Sequence, residues 1–172
     1  MKTNNINEEL HSAVRTGQTE IVVKLLNNGA DVNYKDGSKN DALFYAVVHC
    51  KNEIVTYLIQ KGANLNTIYK DNQNILHIAV RTECEDKGVF SIVQALVQKG
   101  VEINSQDKYG NTPLWYACIY WAINEKTISH LLEKGADMNL INKYGVNTYT
   151  SAKENNEVKL LEILNKYQGV KQ

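Results

Sequence analysis

The chain has 172 residues, 43% of them hydrophobic, with 19 basic and 19 acidic side chains that cancel. That length carries one domain with a substantial core, 1–172, and a neutral chain with no Lys/Arg cluster is not expected to bind nucleic acid. No apolar run approaches the roughly 18 residues of a membrane-spanning helix.

The opening, Met1-Lys-Thr-Asn-Asn, is polar with no apolar stretch behind it, and does not read as a signal peptide. A first unit, 1–33, holds His11 and Ala13, then Ile21, Val22, Leu25 and Leu26 at helical spacing, and ends on Gly29-Ala-Asp-Val-Asn33. A second unit, 34–66, opens on a turn around Lys39. Asp41 is placed as a helix N-cap, Ala46 follows, and the stripe Ile54, Val55, Leu58, Ile59 leads to Gly62-Ala-Asn-Leu-Asn66. The third, 67–104, repeats this with Asn72, Asn74, Ala79, Ile92, Val93, Leu96 and Val97 before Gly100-Val-Glu-Ile-Asn104. The fourth, 105–139, has Gly110, Thr112, Pro113 at the first helical position, Ala117, and then Thr127, Ile128, Leu131 and Leu132 before Gly135-Ala-Asp-Met-Asn139. The fifth, 140–172, shows Gly145, Asn147, Ala152 and a last stripe Leu160, Leu161, Leu164 near Gly169, in a lysine- and glutamate-rich helix that suits a terminal cap.

Each alanine stands seventeen residues after the preceding glycine, at 46, 79, 117 and 152 after 29, 62, 100 and 135. All length variation therefore falls between the alanine and the next glycine. The third unit carries extra residues around 81–90, and the fourth around 118–127. The fourth reads as a lengthened first helix, Pro113 to Asn124, and the third as a segment whose Val89 and Phe90 either cover Trp121 and Ile123 or form a binding edge.

The segment Asp107-Lys-Tyr-Gly-Asn-Thr-Pro-Leu-Trp-Tyr-Ala117 resembles the turn and T-P-L-H-x-A motif of the ankyrin repeat, with Trp115 in place of histidine. Asn74-Ile-Leu-His-Ile-Ala79 keeps the histidine and loses Thr and Pro. The resemblance covers roughly residues 8–168. It implies an all-α solenoid of about five stacked helix-turn-helix units joined by hairpin-like turns, with atypical first and last units. It also implies a protein-binding module, not an enzyme, because recurring units of this size build extended binding surfaces.

In that family partners contact the turn tips and the exposed face of the first helices. The matching positions give Lys70, Asp71, Arg81, Lys108, Tyr109, Tyr120, Trp121, Lys143 and Tyr144 as the partner-binding set. Tyr109, Tyr120, Trp121 and Tyr144 are the expected anchors, because aromatic side chains bury large areas and keep a polar handle. Gln73 and Asn111 fall on the same predicted groove. Trp115 and Tyr116 are expected in the core, and His11 and His77 in structural hydrogen bonds.

Cys50, Cys84 and Cys118 read as three isolated thiols, Cys84 exposed with its pKa raised by acidic neighbours, which points to a reducing cytoplasm. The histidines have no metal-ligand spacing, no glycine loop would cradle a phosphate, and no cofactor is expected. The function this supports is a small monomeric adaptor or inhibitor gripping one partner protein. A bacterial immunity protein that blocks a cognate toxin is the alternative. A small-ligand pocket or cofactor-free enzyme built on Trp121, Tyr120, His49 and Arg81 is the reading from another class.

Overall fold

The computed structural model describes the backbone of residues 2–84, 86–119 and 121–168, and their side chains except those of 2–5, 86–87 and 121–124. Among the described residues there are ten α-helices and no strand. An inner layer holds α1 (Lys2–Thr16), α3 (Ala42–Val48), α5 (Ile75–Ala79), α7 (Pro113–Ile119) and α9 (Thr148–Glu154). An outer layer holds α2 (Thr19–Asn27), α4 (Asn52–Gln60), α6 (Asp86–Gln98), α8 (Trp121–Glu133) and α10 (Val158–Asn165). Each inner helix packs against its own outer helix and against the next inner helix. Ala46, Ala79, Ala117 and Ala152 are buried where the inner helices meet, and a larger side chain there would force the layers apart. Leu58, Leu96 and Leu131, at one stripe position of α4, α6 and α8, are fully buried. Burial of each contributes about 1.5–3 kcal/mol.

The short inner helices depend on their caps. The side chains of Asp41, Asn74, Thr112 and Asn147 accept the backbone N–H three residues on, at 2.9, 3.1, 3.2 and 2.8 Å. All four predicted N-caps are therefore in use, each taking up a donor that a helix start leaves free.

The outer helices stop alike. Gly29, Gly62, Gly100 and Gly135 take φ of +92°, +87°, +80° and +94°. Each donates its N–H three residues back, and the next residue donates five back, as in Gly62 to Ile59 at 3.1 Å and Ala63 to Leu58 at 3.0 Å. This pair of bonds is the Schellman closure, and it explains the recurring Gly-Ala and Gly-Val. The signature's asparagine then reaches the next unit. Asn33 accepts from the Asn64 N–H at 2.7 Å and donates to the Gly62 carbonyl at 3.2 Å, and Asn104 repeats this with Asp137 and Gly135 at 2.8 and 3.0 Å.

Two expectations are corrected. The extra residues of the fourth unit do not lengthen its first helix to Asn124, since α7 ends at Ile119 and a separate helix starts at Trp121. In both inserted units it is the outer helix that grows: α6 and α8 have 13 residues, against nine in α2 and α4. The lengthened α6 and α8 pack on each other, with Val89 fully buried and Phe90 edge-on to His130 at 5.6 Å. Trp121 and Ile123, which Val89 and Phe90 were expected to cover, have side chains outside the described residues.

The cysteines are the second correction. Cys50 and Cys84 form a disulfide, with Cα atoms 5.8 Å apart, and Cys84 is buried. Cys50 follows α3 at φ +58°, which turns its side chain toward the stretch before α6. Neither is an isolated thiol, so the inference from thiols to a reducing compartment loses its footing. Cys118 is a free thiol, as expected, and is buried, which pushes its pKa up.

Candidate protein-binding face

Between one outer helix and the next inner helix the chain makes a tight hairpin whose tip projects from the stack. All four tips close with a backbone bond across five residues, Tyr69 to Gln73 at 2.8 Å and, where the leading residue is Asp or Asn, Asp36 to Asn40, Asp107 to Asn111 and Asn142 to Val146 at 2.9–3.0 Å. In the three tips led by Asp or Asn, a side-chain oxygen of the leading residue takes two further N–H groups, as Asp107 does from Tyr109 at 2.8 Å and Asn111 at 3.0 Å. The left-handed positions predicted at Lys39, Asn72, Gly110 and Gly145 all occur, with φ from +60° to +81°. Successive tips are tied by backbone bonds, Lys108 N–H to the Asp71 carbonyl at 2.8 Å and Lys143 N–H to the Tyr109 carbonyl at 2.9 Å.

Six of the expected partner-binding residues, Lys70, Asp71, Lys108, Tyr109, Lys143 and Tyr144, are brought together by these tips. Lys108 Nζ lies 2.6 Å from the Asp71 carboxylate and 4.7 Å from the centre of the Tyr109 ring. The hydrogen bond between them lowers the Asp71 pKa and raises that of Lys108. Tyr109 is 37% exposed and Tyr144 70%, and Lys70 and Lys143 are exposed beside them. Tyr120 lies outside the described residues, as does the side chain of Trp121. Gln73 and Asn111 are not groove residues, because both are buried inside the joints between units.

The inner helices meet through two kinds of joint. At the first-to-second joint Arg15 covers the Tyr45 ring at 3.8 Å, the Tyr45 hydroxyl donates to Asp36, and His11 packs 5.3 Å from the same ring. The third-to-fourth joint repeats this. Arg81 lies 4.8 Å over Tyr116, whose hydroxyl donates to Asp107 at 2.7 Å, with His77 at 6.1 Å. Burial and the Asp107 charge raise the Tyr116 pKa, so the phenol keeps its proton. Burial would raise the Asp36 pKa, but the donors Tyr45, Asn40 and Ser38 bring it down overall. This clasp was missed in the sequence, although tyrosine one before the alanine and aspartate ten before it were readable.

The joints between these hold open cavities whose walls mix apolar and polar side chains. Phe44, Val48 and Ile78, with Arg81, Thr82 and Glu83 on the rim, line a cavity of about 520 Å³ at the second-to-third joint. Trp115, Ile119 and Ser151 help to line one of about 140 Å³ at the fourth-to-fifth. Val48 is 38% exposed and Ile119 51%. Trp115 and Tyr116 are half-buried and edge-on to each other at 5.2 Å, so neither lies inside the core, contrary to expectation: Tyr116 packs against it, and Trp115 lines the smaller cavity.

The two family-position histidines differ. His77 Nδ1 lies 3.2 Å from the Asn74 backbone nitrogen and 2.7 Å from the Asn74 side-chain oxygen, and its Nε2 lies 3.0 Å from the Asn111 carbonyl, so the ring is held from both sides. Among the described residues neither ring nitrogen of His11, both buried, makes a well-formed hydrogen bond, and only the Tyr34 backbone acts on the ring as a hydrogen-bonding group. Burial lowers the pKa of each ring. Among the described residues no three His, Cys, Asp or Glu side chains are grouped to hold a metal ion, and no helix is long and apolar enough to cross a membrane.

Comparison with known proteins agrees with this geometry. A family model described as ankyrin repeats (3 copies) matches residues 10–107 and 84–171. An ankyrin repeat domain-containing protein of Stachybotrys chartarum is 34% identical over 131 residues, 76% of this chain but 6% of that protein. The mouse B-cell lymphoma 3 protein homolog is 33% identical over 109 residues, 63% of this chain and 23% of its own length. An ankyrin repeat protein of fowlpox virus is 34% identical over 115 residues, 67% of this chain and 77% of the viral protein. The chain thus spans under a quarter of the first two relatives and most of the third. On repeat, caps, closures and family match alike, the chain belongs to the ankyrin repeat family, whose repeats generally mediate protein–protein interaction.

Proposed function

We propose that this chain is an adaptor or inhibitor that holds one partner protein along the inner-helix face and the hairpin tips. The observation that carries the reading is the set of exposed apolar and aromatic side chains on these two adjoining rows: Val48 and Ile119 on the inner helices, Tyr109 and Tyr144 on the tips. Capped helices and bonded tips hold them in place, so little ordering entropy opposes binding. Lys70, Asp71, Arg81, Lys108 and Lys143 surround them as a polar rim. Blocking a toxin would be one form of such binding, and a toxin gene beside this one would mark it.

The test is affinity capture from lysate of the source organism. Baits would be the wild type, a Val48→Ser/Tyr109→Ala/Tyr144→Ala variant, and an Ile21→Ser/Val158→Ser variant altered at exposed outer-helix positions. One protein held by the wild type and the outer variant, and lost by the inner one, is the expected result. A protein held equally by all three would overturn the reading.

A further inference from the structure

The residue two places after each alanine alternates along the first four units: Arg15, Val48, Arg81, Ile119. All four are exposed on the inner layer. Each arginine is steadied by a tyrosine ring of the following unit, and each apolar residue stands in one of the two open cavities.

The carboxylates near this row already have donors. Asp36 accepts from Tyr45, from Ser38 at 2.9 Å and from Asn40 at 3.1 Å, with Arg15 only at its edge at 3.5 Å. Asp41 accepts from the Phe44 N–H and the Tyr69 hydroxyl, and Asp107 from Tyr116 and two backbone N–H groups. Asp71 is taken by Lys108. Arg81 has no ion-pair partner among the described residues, nor have the exposed tip lysines Lys35, Lys39, Lys70 and Lys143. Among the described residues, Glu8 and Glu9 on α1, Glu83 on the rim of the larger cavity, and Glu154 in the fifth unit are exposed carboxylates on the inner layer or beside it. Arg15, Lys35, Lys39, Lys70 and Arg81 therefore outnumber Glu8, Glu9 and Glu83 among the described exposed charges on this side of the first four units, a small cationic excess in a neutral chain.

Spacing selects the conformation of that segment. Packed helices stand about 8–10 Å apart. A polyproline II helix has three residues per turn and rises about 3.1 Å per residue, so every third side chain returns to one face after about 9 Å. A β-strand would send alternate members of such a series to the opposite face, and an α-helix repeats every 5.4 Å or so.

We propose that the inner face binds an extended segment in the polyproline II conformation that presents acidic, apolar, acidic and apolar side chains at every third residue. The carboxylates meet Arg15 and Arg81, and the apolar groups enter the cavities at Val48 and Ile119. This rests on the inner face being the binding face, and adds the chemistry of the occupant.

The probe is a fluorescein-labelled peptide, Glu-Pro-Pro-Leu-Pro-Pro-Glu-Pro-Pro-Leu, titrated with the full chain by fluorescence anisotropy. Saturable binding is expected. A peptide with one extra proline in each spacer, and Arg81→Glu with unchanged helical circular dichroism, should each weaken it by roughly tenfold or more. Replacing the second glutamate by lysine should restore binding to Arg81→Glu. Failure of the wild type to bind, equal binding of the two spacings, or an unaffected Arg81→Glu overturns the proposal, as does equal affinity for labelled oligothymidylate. If the peptide fails while the inner-face variant still loses its captured protein, the binding face stands and only the occupant's chemistry is wrong. If both fail, the face itself is wrong.

Discussion

The Tyr116 hydroxyl donates to the Asp107 carboxylate at 2.7 Å, and so ties the inner helix of one unit to that unit's own hairpin tip. Arg81 of the preceding unit covers the ring, so a single phenol links tip, helix and neighbour. Tyr116→Phe keeps the ring and removes the donor, and should destabilise the fold by about 1–2 kcal/mol in urea denaturation. Tyr167→Phe, which loses an exposed 3.2 Å bond to Glu133, serves as the control and should leave the midpoint unmoved. Equal effects from the two would deny the clasp its structural role.

Two tip glycines with the same backbone conformation should respond differently to alanine. Gly145 has φ +78° and open space where a Cβ would go, so Gly145→Ala meets only the left-handed strain, about 1–2 kcal/mol. Gly110, at φ +81°, would place its Cβ 2.9 Å from the Lys143 nitrogen and 3.0 Å from the Asn142 Cα. Those are backbone atoms of the adjoining tip and cannot swing aside. Gly110→Ala should therefore lower the melting temperature distinctly more than Gly145→Ala, and equal losses would mean the tips are not in close register.

Stability should fall with mild acid. His11 and His77 both have folded pKa values held below 6.5 by burial. As pH drops through about 6.5 the unfolded rings take up protons while the folded ones resist. The unfolded state then binds more protons, so stability is fully present above that pH and declines below it, by up to about 1.4 kcal/mol per pH unit per ring. Denaturation from pH 7 to 5 should show the slope, and His77→Gln should lessen it. A flat profile would mean that both rings protonate freely in the fold.

The disulfide joins residues 34 apart and so closes a loop about one repeat long. On chain-entropy grounds that is worth about 3–4 kcal/mol. Dithiothreitol or Cys84→Ser should lower the denaturation midpoint, and reductant should leave Cys84→Ser unchanged. A wild type indifferent to reductant would show that the bond contributes nothing to stability.

What could be read from the sequence was what is decided locally. Asp41, Asn74, Thr112 and Asn147 cap helices because an oxygen three residues before a free N–H needs no tertiary help. Gly29 and its counterparts end helices because their φ excludes most other residues. The Cys50–Cys84 pair was hidden because it depends on how two consecutive units stack. The growth of α8 in place of α7 was hidden because both helices can absorb an apolar run such as Ile119 to Ile123. Constant phase from the alanine makes the Arg15, Val48, Arg81, Ile119 row legible in the sequence, while the ring or cavity that each of the four meets is decided by how the units stack.

A stack of this kind pulled from its two ends would shed helices one pair at a time, since each pair rests only on its neighbours. The Cys50–Cys84 bond changes that sequence of events. Tension reaching Cys50 crosses to Cys84 through sulfur and bypasses the segment between them, which includes α4 and α5. Under oxidising conditions the fully extended chain would be shorter by about 110–120 Å, the contour of the bypassed residues. The middle of the molecule would then stay closed under a load that strips both flanks.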